Sequence, residues 1–383
     1  MSIVRDRDPL FTPRFFGLWG FAFITFFSAF QLLPAIPFRI LSLGGSKAQA
    51  GWFLAVYTFS SAFAAPLTGS IADHLGRQRV LISASLLFIV FSIAYGVITN
   101  LLVLLAVAAI HGTIWSGILS SSSAIMTDFI PDSRRTEGLA YWGLASTAAI
   151  AIAPAAGLLI FHYGWLTLCL ELAALSLLMA IAASRIATTD AHRIAERPSA
   201  SGLFDWSVIR PALSLATISF GYGGITSYAA IVAVERHITP PSIYFSVFAV
   251  TIVAVRIGTS HLGDRFGPHA ILYPSFVAIP LAFTLLAIAT SRPLFVLSAV
   301  FFGIGLGSVW PAFMSIMIER SDPRRRARTF GSVIWAFDTG IGAGSLAIGA
   351  IGQRWGLGAG FGFAAVLSCM AIPIFVSATR VRA

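Results

Sequence analysis

The sequence predicts an all-α integral membrane protein with twelve transmembrane helices, arranged as two six-helix pseudo-repeats. The first observation is composition: 57% of the 383 residues are hydrophobic and only 10% are charged, whereas about a quarter of a soluble domain is charged. The second is a series of apolar runs, each close to the ~20 residues that a membrane-spanning helix needs. The third is a repeat of loop motifs in the two halves of the chain.

Charged residues and Gly-rich or Pro-rich breaks separate twelve apolar runs. The first run follows a short charged N-terminus and is too long for the core of a signal peptide, so it is predicted to remain as the first span. The one long polar connection predicts an N-terminal bundle (1–184), a flexible cytoplasmic linker (185–210) and a C-terminal bundle (211–383). The runs lie at residues 15–41, 50–72, 80–98, 102–127, 138–161, 165–184, 211–236, 243–262, 269–290, 294–318, 328–352 and 358–378.

The basic residues are distributed unevenly between the two sides of the predicted membrane. Of the 25 Lys and Arg residues, nineteen lie on the side of the two chain termini, in the terminal segments or in the connections on that side. Five lie on the opposite side. Cytoplasmic connections carry the excess of basic residues in membrane proteins. Both termini are therefore predicted to be cytoplasmic in a multi-pass protein of the inner membrane. The net charge of +10 indicates orientation in a lipid bilayer and not a nucleic-acid partner.

No cofactor or metal is predicted. Cys169 and Cys369 lie inside apolar runs, which fits neither a disulfide framework nor a metal cluster. The sequence has no HExxH, no GxSxG and no nucleotide-binding loop. An enzyme within the membrane and an ATP-driven pump are therefore not expected.

Loop motifs recur at a constant spacing. Asp264 lies 191 positions after Asp73, and Gly267 lies 191 positions after Gly76. One offset of about half the chain indicates two copies of a six-helix unit. Parallel repeats of this kind place a binding site where the two halves meet.

The connection between the second and third predicted spans carries a longer signature. Its pattern is Gly-x-x-x-Asp-x-x-Gly-Arg-x-Arg, formed by Gly69, Asp73, Gly76, Arg77 and Arg79. On this signature the chain resembles the major facilitator superfamily over essentially its whole length. The resemblance implies the major facilitator fold.

The same connection is predicted to act as a cytoplasmic gate. Arg77 can reach Asp128, at the end of the fourth span, as an ion pair. The alternative interpretation is that Arg77 and Arg79 only hold the loop on the cytoplasmic side. With the repeated motif, the predicted gate comprises Gly69, Asp73, Gly76, Arg77, Arg79, Asp128, Asp264 and Arg265.

The fifth span is similar to the Gly-Pro-x-x-Gly motif of proton-coupled exporters. Pro154 and Gly157 match this motif, and Ala153 replaces its first glycine. Exporters of this type usually carry an Arg in the fourth span, four residues before a Gly that corresponds to Gly112. Here Ala108 occupies that position, so any proton coupling must use other groups.

Three titratable residues are candidates for proton coupling. Asp338 lies about ten residues from either end of the eleventh span, where an ionised carboxylate costs at least about 2.5–3.5 kcal/mol. It is either a proton-binding or cation-recognising site or a structural acid bonded to a neighbouring helix. His111 lies deep in the fourth span and is either a proton relay or a hydrogen-bond donor between helices. Glu235 ends the seventh span on the outer side.

The first, fourth, seventh and tenth helices line the central cavity in the resembled fold. Their mid-depth residues are aromatic and weakly polar, without the cluster of cations that a sugar phosphate, nitrate or dicarboxylate would require. Such a cavity suits an amphipathic or weakly cationic molecule. The predicted cavity residues are Phe26, Phe30, Gln31, Trp115, Tyr222, Thr226, Tyr228, Trp310 and Trp335.

These features predict a secondary transporter that works by alternating access, with the proton gradient as its driving force. The leading hypothesis is proton-coupled efflux of small amphipathic or hydrophobic compounds by a multidrug-type antiporter, expected to act as a monomer. The alternative is a permease for uptake or facilitated diffusion of a small uncharged metabolite, which the missing fourth-span Arg favours.

Overall fold

The computed structural model describes residues 9–131, 134–186, 206–320 and 326–380. Within these ranges the chain forms fourteen α-helices and no strands. The first half contains α1 (Pro13–Ser42), α2 (Lys47–Ala50), α3 (Trp52–Leu75), α4 (Arg77–Val97), α5 (Leu101–Phe129), α6 (Arg135–Phe161) and α7 (Trp165–Arg185). The second half contains α8 (Trp206–Glu235), α9 (Ile243–Phe266), α10 (Pro268–Ile288), α11 (Arg292–Arg320), α12 (Arg326–Trp355), α13 (Leu357–Cys369) and α14 (Ala371–Arg380).

The helices agree with the prediction of a twelve-span membrane protein. Ten of them are long and apolar enough to cross a membrane, and a further apolar stretch covers Ile243–Arg256. Two details differ from the predicted runs. The short α2 precedes the second span, and the twelfth span is divided at Met370 between α13 and α14. Pro373 lies in the first turn of α14, the part of a helix that tolerates a residue without an N–H donor.

The internal repeat is visible in the helix boundaries. Helices α3, α4 and α5 begin and end 191 positions before α9, α10 and α11, respectively. The same offset joins Gly76 and Gly267, which have φ angles of 93° and 79° and form the tight breaks before α4 and α10. Glycine adopts positive φ without the steric penalty of a Cβ atom. The repeat therefore specifies the same sharp turn between spans in both halves.

The predicted linker coincides in part with the undescribed residues 187–205. Helix α8 begins at Trp206, so it already includes the last five residues of the linker predicted from the apolar run. Helical hydrogen bonding continues beyond an apolar segment when the flanking residues can enter water, so hydropathy alone does not locate a helix start. The division into two bundles stays a prediction.

The two halves contact each other mainly through four helix pairs. Helices α2 and α3 pack against α12, α6 packs against α9, and α1 packs against α8. Within the first half, α1 also packs against α6 and α7. The residues that follow lie on these interfaces. The end of the bundle opposite the chain termini, which the arginine distribution predicts to be outside, is called the outer end.

Candidate functional site

An acidic residue lies near the middle of α12, where the two halves meet. Asp338 is partly exposed, and its carboxylate is close enough to Tyr57 of α3, in the opposite half, to interact electrostatically. Within the described ranges, no hydrogen bond or ion pair satisfies this carboxylate. Because an unpaired charge is unfavourable at this depth, the carboxyl group can bind a proton or a cationic ligand.

His111 of α5 lies in an enclosed aromatic cage. Its side chain is buried, the Tyr95 hydroxyl lies 3.1 Å from its Nδ1 atom, and its Nε2 atom has no hydrogen-bond partner. The cage contains the rings of Tyr57, Phe88, Phe91 and Tyr95, with centroids 5.0, 4.3, 5.1 and 5.8 Å from the imidazole. Tyr57 thus contacts His111 and also approaches Asp338, but the cage separates His111 from water.

Each half also contains a group of packed aromatic side chains. In the first half, Phe26 packs edge-on against Trp115 with 5.2 Å between ring centroids, and Phe30 stacks against Phe26 at 6.3 Å. Both phenylalanines are partly exposed. These rings join the first and fourth spans, and their role as a cavity wall stays a prediction.

The second half contains a similar aromatic group around Phe337, the residue before Asp338. The Phe337 ring lies 5.3 Å from Trp310 and 6.2 Å from Tyr222, measured between centroids. Trp310 and Trp335 are partly exposed, whereas Tyr222 is buried. The Thr226 hydroxyl donates a hydrogen bond to the Tyr222 carbonyl at 2.9 Å, so this hydroxyl is occupied within its own helix.

Two predicted cavity residues have other contacts. Tyr228 is fully buried, and its hydroxyl donates to the carbonyls of Lys47 and Ser345 at 3.0 and 3.2 Å. Gln31 is also fully buried and donates from Nε2 to Oε1 of Glu171 on α7 at 3.1 Å. Tyr228 therefore joins the halves near the outer end, and Gln31 joins two helices of the first half.

One face of α12 holds the halves together from Asp338 towards the outer end. One turn beyond Asp338, Gly342 lies against Thr58 of α3, where a Cβ atom would come within 2.6 Å of the threonine hydroxyl. A further turn on, the Ser345 hydroxyl donates to the Gly51 carbonyl at 2.9 Å, and Gln353 accepts from the Lys47 backbone at 2.9 Å. These contacts, called the outer zipper, close the bundle above Asp338.

Glu235 lies at the outer end of this zipper. Its carboxylate forms an ion pair with Lys47 of the opposite half at 2.6 Å, with both side chains about one-third exposed. The structure therefore gives Glu235 a partner at the bundle end and not a position in mid-membrane. Arg39 and Arg236, which also end spans on this side, bind backbone carbonyls instead, including those of Ile98 and Leu286.

The predicted gate is described in part. Arg77 donates to Asp128 in an ion pair of 2.8 Å, as predicted. This pair joins α4 to α5 within the first half, so it does not link the two halves directly. Arg79 is exposed, and Gly76 forms the turn between α3 and α4. The side-chain surroundings of Gly69, Asp73, Asp264 and Arg265 lie outside the described residues.

The exporter-like motif in α6 faces α1. Pro154 is buried inside α6, where proline cannot donate to the carbonyl one turn earlier. Gly157 lies directly against the backbone of Gln31: a Cβ atom there would come within 2.5 Å of the Gln31 carbonyl oxygen and 2.7 Å of its Cα atom. Only glycine allows this approach without displacing one helix. The motif therefore sets the distance between α6 and α1.

Several residues of these contacts were not among the predicted site residues, and three of them show why. Lys47 gains its contacts only when the halves associate, Tyr57 packs on His111 of a different helix, and nothing in their local sequence indicates either contact. Glu171 is visible in the sequence as an acid in the sixth span, but that helix is peripheral in the resembled fold. Its pairing with Gln31, 140 positions away in sequence, could not be read from hydropathy.

Comparison with known proteins gives matches over nearly the whole chain. The family model described as Major Facilitator Superfamily matches residues 18–288 and 203–382. An uncharacterized MFS-type transporter of Burkholderia pseudomallei (strain 1106a) is 25% identical over 379 residues, covering 94% of this chain and 89% of that protein.

Shorter matches reach named export and resistance proteins. The Multidrug export protein EmrB of Escherichia coli (strain K12) is 27% identical over 135 residues, which is 34% of this chain and 26% of that protein. The Fatty acid resistance protein FarB of Neisseria gonorrhoeae is 26% identical over 135 residues, 34% of this chain and 27% of its own length. The chain thus matches only about a quarter of the length of these relatives.

Solved structures share the fold. The nucleoside transporter NupG superposes with a TM-score of 0.77 at 15% identity, covering 96% of this chain and 99% of that chain. A bacterial homolog to the human lysosomal transporter Spinster, in an inward-facing and occupied conformation, superposes with a TM-score of 0.77 at 15% identity and covers 96% of both chains. At these identities the likeness shows the fold alone.

Proposed function

Because this chain belongs to the Major Facilitator Superfamily and is a multi-pass membrane transporter, not an enzyme, we propose that it is a proton-coupled antiporter that exports small amphipathic or hydrophobic compounds. The observation that carries this proposal is Asp338. It is a partly exposed acid in mid-span at the contact between the halves, unpaired within the described ranges and beside aromatic rings.

The chemistry of antiport follows from one carboxyl group with two competing ligands. A proton neutralises Asp338 and removes the cost of a charge in mid-membrane. A cationic or amphipathic molecule between the aromatic rings can replace the proton, since aromatic faces attract cations and bury apolar surface. Binding of one ligand therefore releases the other, which couples the two movements in opposite directions.

Alternating access requires that the outer zipper opens and closes. In this conformation Lys47, Ser345 and Tyr228 join the halves above Asp338, so the site is separated from the outer side. Release of a compound outwards needs these contacts to break while the opposite side closes. The export direction, the inner-membrane location, the cytoplasmic termini and a monomeric state are parts of the same proposal.

His111 receives a structural role in this proposal. Its aromatic cage excludes water, and its Nδ1 atom already engages Tyr95. Glu235 is assigned to closure of the outer end through Lys47. The proposal therefore assigns proton coupling to Asp338, the partly exposed acid in mid-span of α12.

The test is flux driven by a pH gradient in proteoliposomes, with ethidium as an aromatic cation. We expect wild-type protein to move ethidium in the direction opposite to the proton flow. In Asp338→Asn, ethidium flux should no longer depend on the pH gradient. Asp338→Glu is the matched control, because it keeps the carboxyl group, and should retain part of the flux. Undiminished gradient-driven flux in Asp338→Asn would falsify the assignment of Asp338.

The alternative function is a permease for a small uncharged metabolite. It is favoured by Ala108, which is fully buried where related exporters carry an Arg. Under this alternative, wild-type flux follows the substrate gradient alone and a protonophore does not change it. Protonophore sensitivity of ethidium flux in wild-type vesicles therefore separates the two functions.

A further inference from the structure

A second acidic group lies in the membrane region, inside the first half. Gln31 of α1 is fully buried, and its Nε2 atom donates to Oε1 of Glu171 on α7 at 3.1 Å. The other two oxygens of this pair, Oε1 of Gln31 and Oε2 of Glu171, are both buried and both without a hydrogen-bond partner. The pair thus holds two buried acceptors that lack a donor.

These two orphans need a donor, and while Glu171 is ionised the pair offers only the Gln31 amide nitrogen, which already donates to the other carboxylate oxygen. A carboxylate and an amide oxygen only accept hydrogen bonds, and each buried unsatisfied polar atom costs about 1–3 kcal/mol. A single proton on Oε2 of Glu171 turns it into a donor to Oε1 of Gln31. The acid and the amide then form a closed pair with two hydrogen bonds, and one proton satisfies both orphaned atoms.

We infer that Glu171 and Gln31 form a second proton-binding site, with the proton shared between the carboxyl and amide oxygens. No cation contacts Glu171 in the described residues, so a counter-ion does not replace the proton there. The titratable groups on the helices packed around this pair include Arg39 on α1, bound to the Ile98 carbonyl, and the buried free thiol of Cys169 on α7. They also include Tyr95 on α4, bonded to His111, and His162 at the exposed end of α6.

The site connects with the exporter-like motif through Gln31. Gly157 of α6 lies against the Gln31 backbone, and Phe30, the neighbour of Gln31, belongs to the aromatic wall of the candidate cavity. A proton on Glu171 holds α1 against α7. Loss of the proton leaves two acceptors facing each other and loosens α1. This role in transport rests on the proposed function, whereas the binding of the proton does not.

The proton is detected directly by infrared spectroscopy, without substrate or gradient. The C=O stretch of a protonated carboxylic acid is measured at neutral pH in an Asp338→Asn background, which removes the other mid-membrane acid. We expect the band in this background and its loss after Glu171→Gln, which keeps a doubly hydrogen-bonded amide–amide pair and therefore the fold. The exchange variant Gln31→Glu with Glu171→Gln should restore the band.

Two outcomes overturn the inference. Absence of a protonated-acid band attributable to Glu171 from mildly acidic to neutral pH overturns the proton site. Wild-type gradient-driven ethidium flux in Glu171→Gln overturns its link to transport, since we expect a loss of about fivefold or more because the amide pair cannot release a proton. The infrared band is measured without any transport. The proton site at Glu171 can therefore be confirmed even if the antiporter proposal fails, and the antiporter proposal can be confirmed even if the band is absent.

Discussion

Three titratable residues inside the first and second halves differ in what surrounds them. Asp338 is partly exposed and unpaired within the described ranges, Glu171 faces an amide that can share its proton, and His111 is enclosed by aromatic rings. A titratable group takes part in coupling only when it can gain and lose a proton during the cycle. In the proposed cycle the first two residues meet this condition, and His111 has the structural role.

The structural role of His111 predicts a specific stability pattern. His111→Phe leaves the Tyr95 hydroxyl buried without its partner, which should destabilise the protein by about 1–3 kcal/mol. The double variant His111→Phe with Tyr95→Phe removes both polar partners and should recover most of that loss. The measurement is thermal unfolding in detergent. Gradient-driven flux should survive in the double variant, and its loss there would show that His111 carries protons.

At the scale of single elements, α1 occupies a central position in the first half. It contacts α6 through Gly157, α7 through Gln31 and Glu171, and presents Phe26 and Phe30 on its aromatic wall. The exporter-like motif therefore acts, in physical terms, as a spacing device. A glycine in α6 lets α1 approach closely enough for Gln31 to reach α7.

The spacing predicts different effects for two glycines of the same helix. Gly157→Ala places a methyl group into the Gln31 backbone and should cost about 1–3 kcal/mol through overpacking, with reduced flux. Gly143→Ala is the matched control, because a Cβ atom there meets nothing within 4 Å, and alanine favours a helix over glycine. Thermal unfolding and flux of both variants are compared. Equal behaviour of the two variants would contradict the spacing role.

At the scale of the whole molecule, the outer zipper determines the conformation seen here. On α12 its contacts involve Gly342, Ser345 and Gln353, whose spacings of three and eight residues keep them on one side of the helix. The Lys47–Glu235 ion pair at its end is partly exposed, and pairs of this kind contribute at most about 1 kcal/mol. A contact this weak can open and close repeatedly, which suits a gate better than a permanent structural link.

Cross-linking tests whether the outer end must open. Lys47→Cys with Glu235→Cys, in a background with Cys169 and Cys369 replaced by Ser, should form a disulfide under oxidation and stop flux until a reductant is added. A matched pair within one half, Gln78→Cys with Ser184→Cys, joins α4 to α7 near an existing contact and should leave flux intact. Unchanged flux in the first, cross-linked protein would argue against a moving outer gate.

Much of this architecture was accessible from the sequence. Hydropathy gave the spans, because each helix must cover the hydrocarbon core with apolar residues. The 191-residue offset between loop motifs predicted the internal repeat. The helix boundaries and the two positive-φ glycines, Gly76 and Gly267, show the same offset. The ion pair of Arg77 with Asp128 was also predicted, since both residues flank short connections on the same side.

The contacts that decide function were not accessible in this way. Tyr228 and Gln31 were predicted to line the cavity, but they join helices, and Glu235 has its partner in the opposite half. A hydropathy pattern records how apolar a helix is. A helix that is buried on several sides has no distinct apolar face, so the pattern does not indicate which helices it packs against.

The sequence by itself determined that this chain crosses the membrane twelve times as a repeated unit and carries an acid in mid-span. Tertiary structure alone decided that α12, which carries Asp338, packs against α3 of the opposite half, that aromatic rings surround His111, and that Glu171 pairs with Gln31. The physical reason is that insertion depends on the free energy of transferring each segment into lipid, which is local to that segment. Pairing depends on close packing between segments that are distant in the chain.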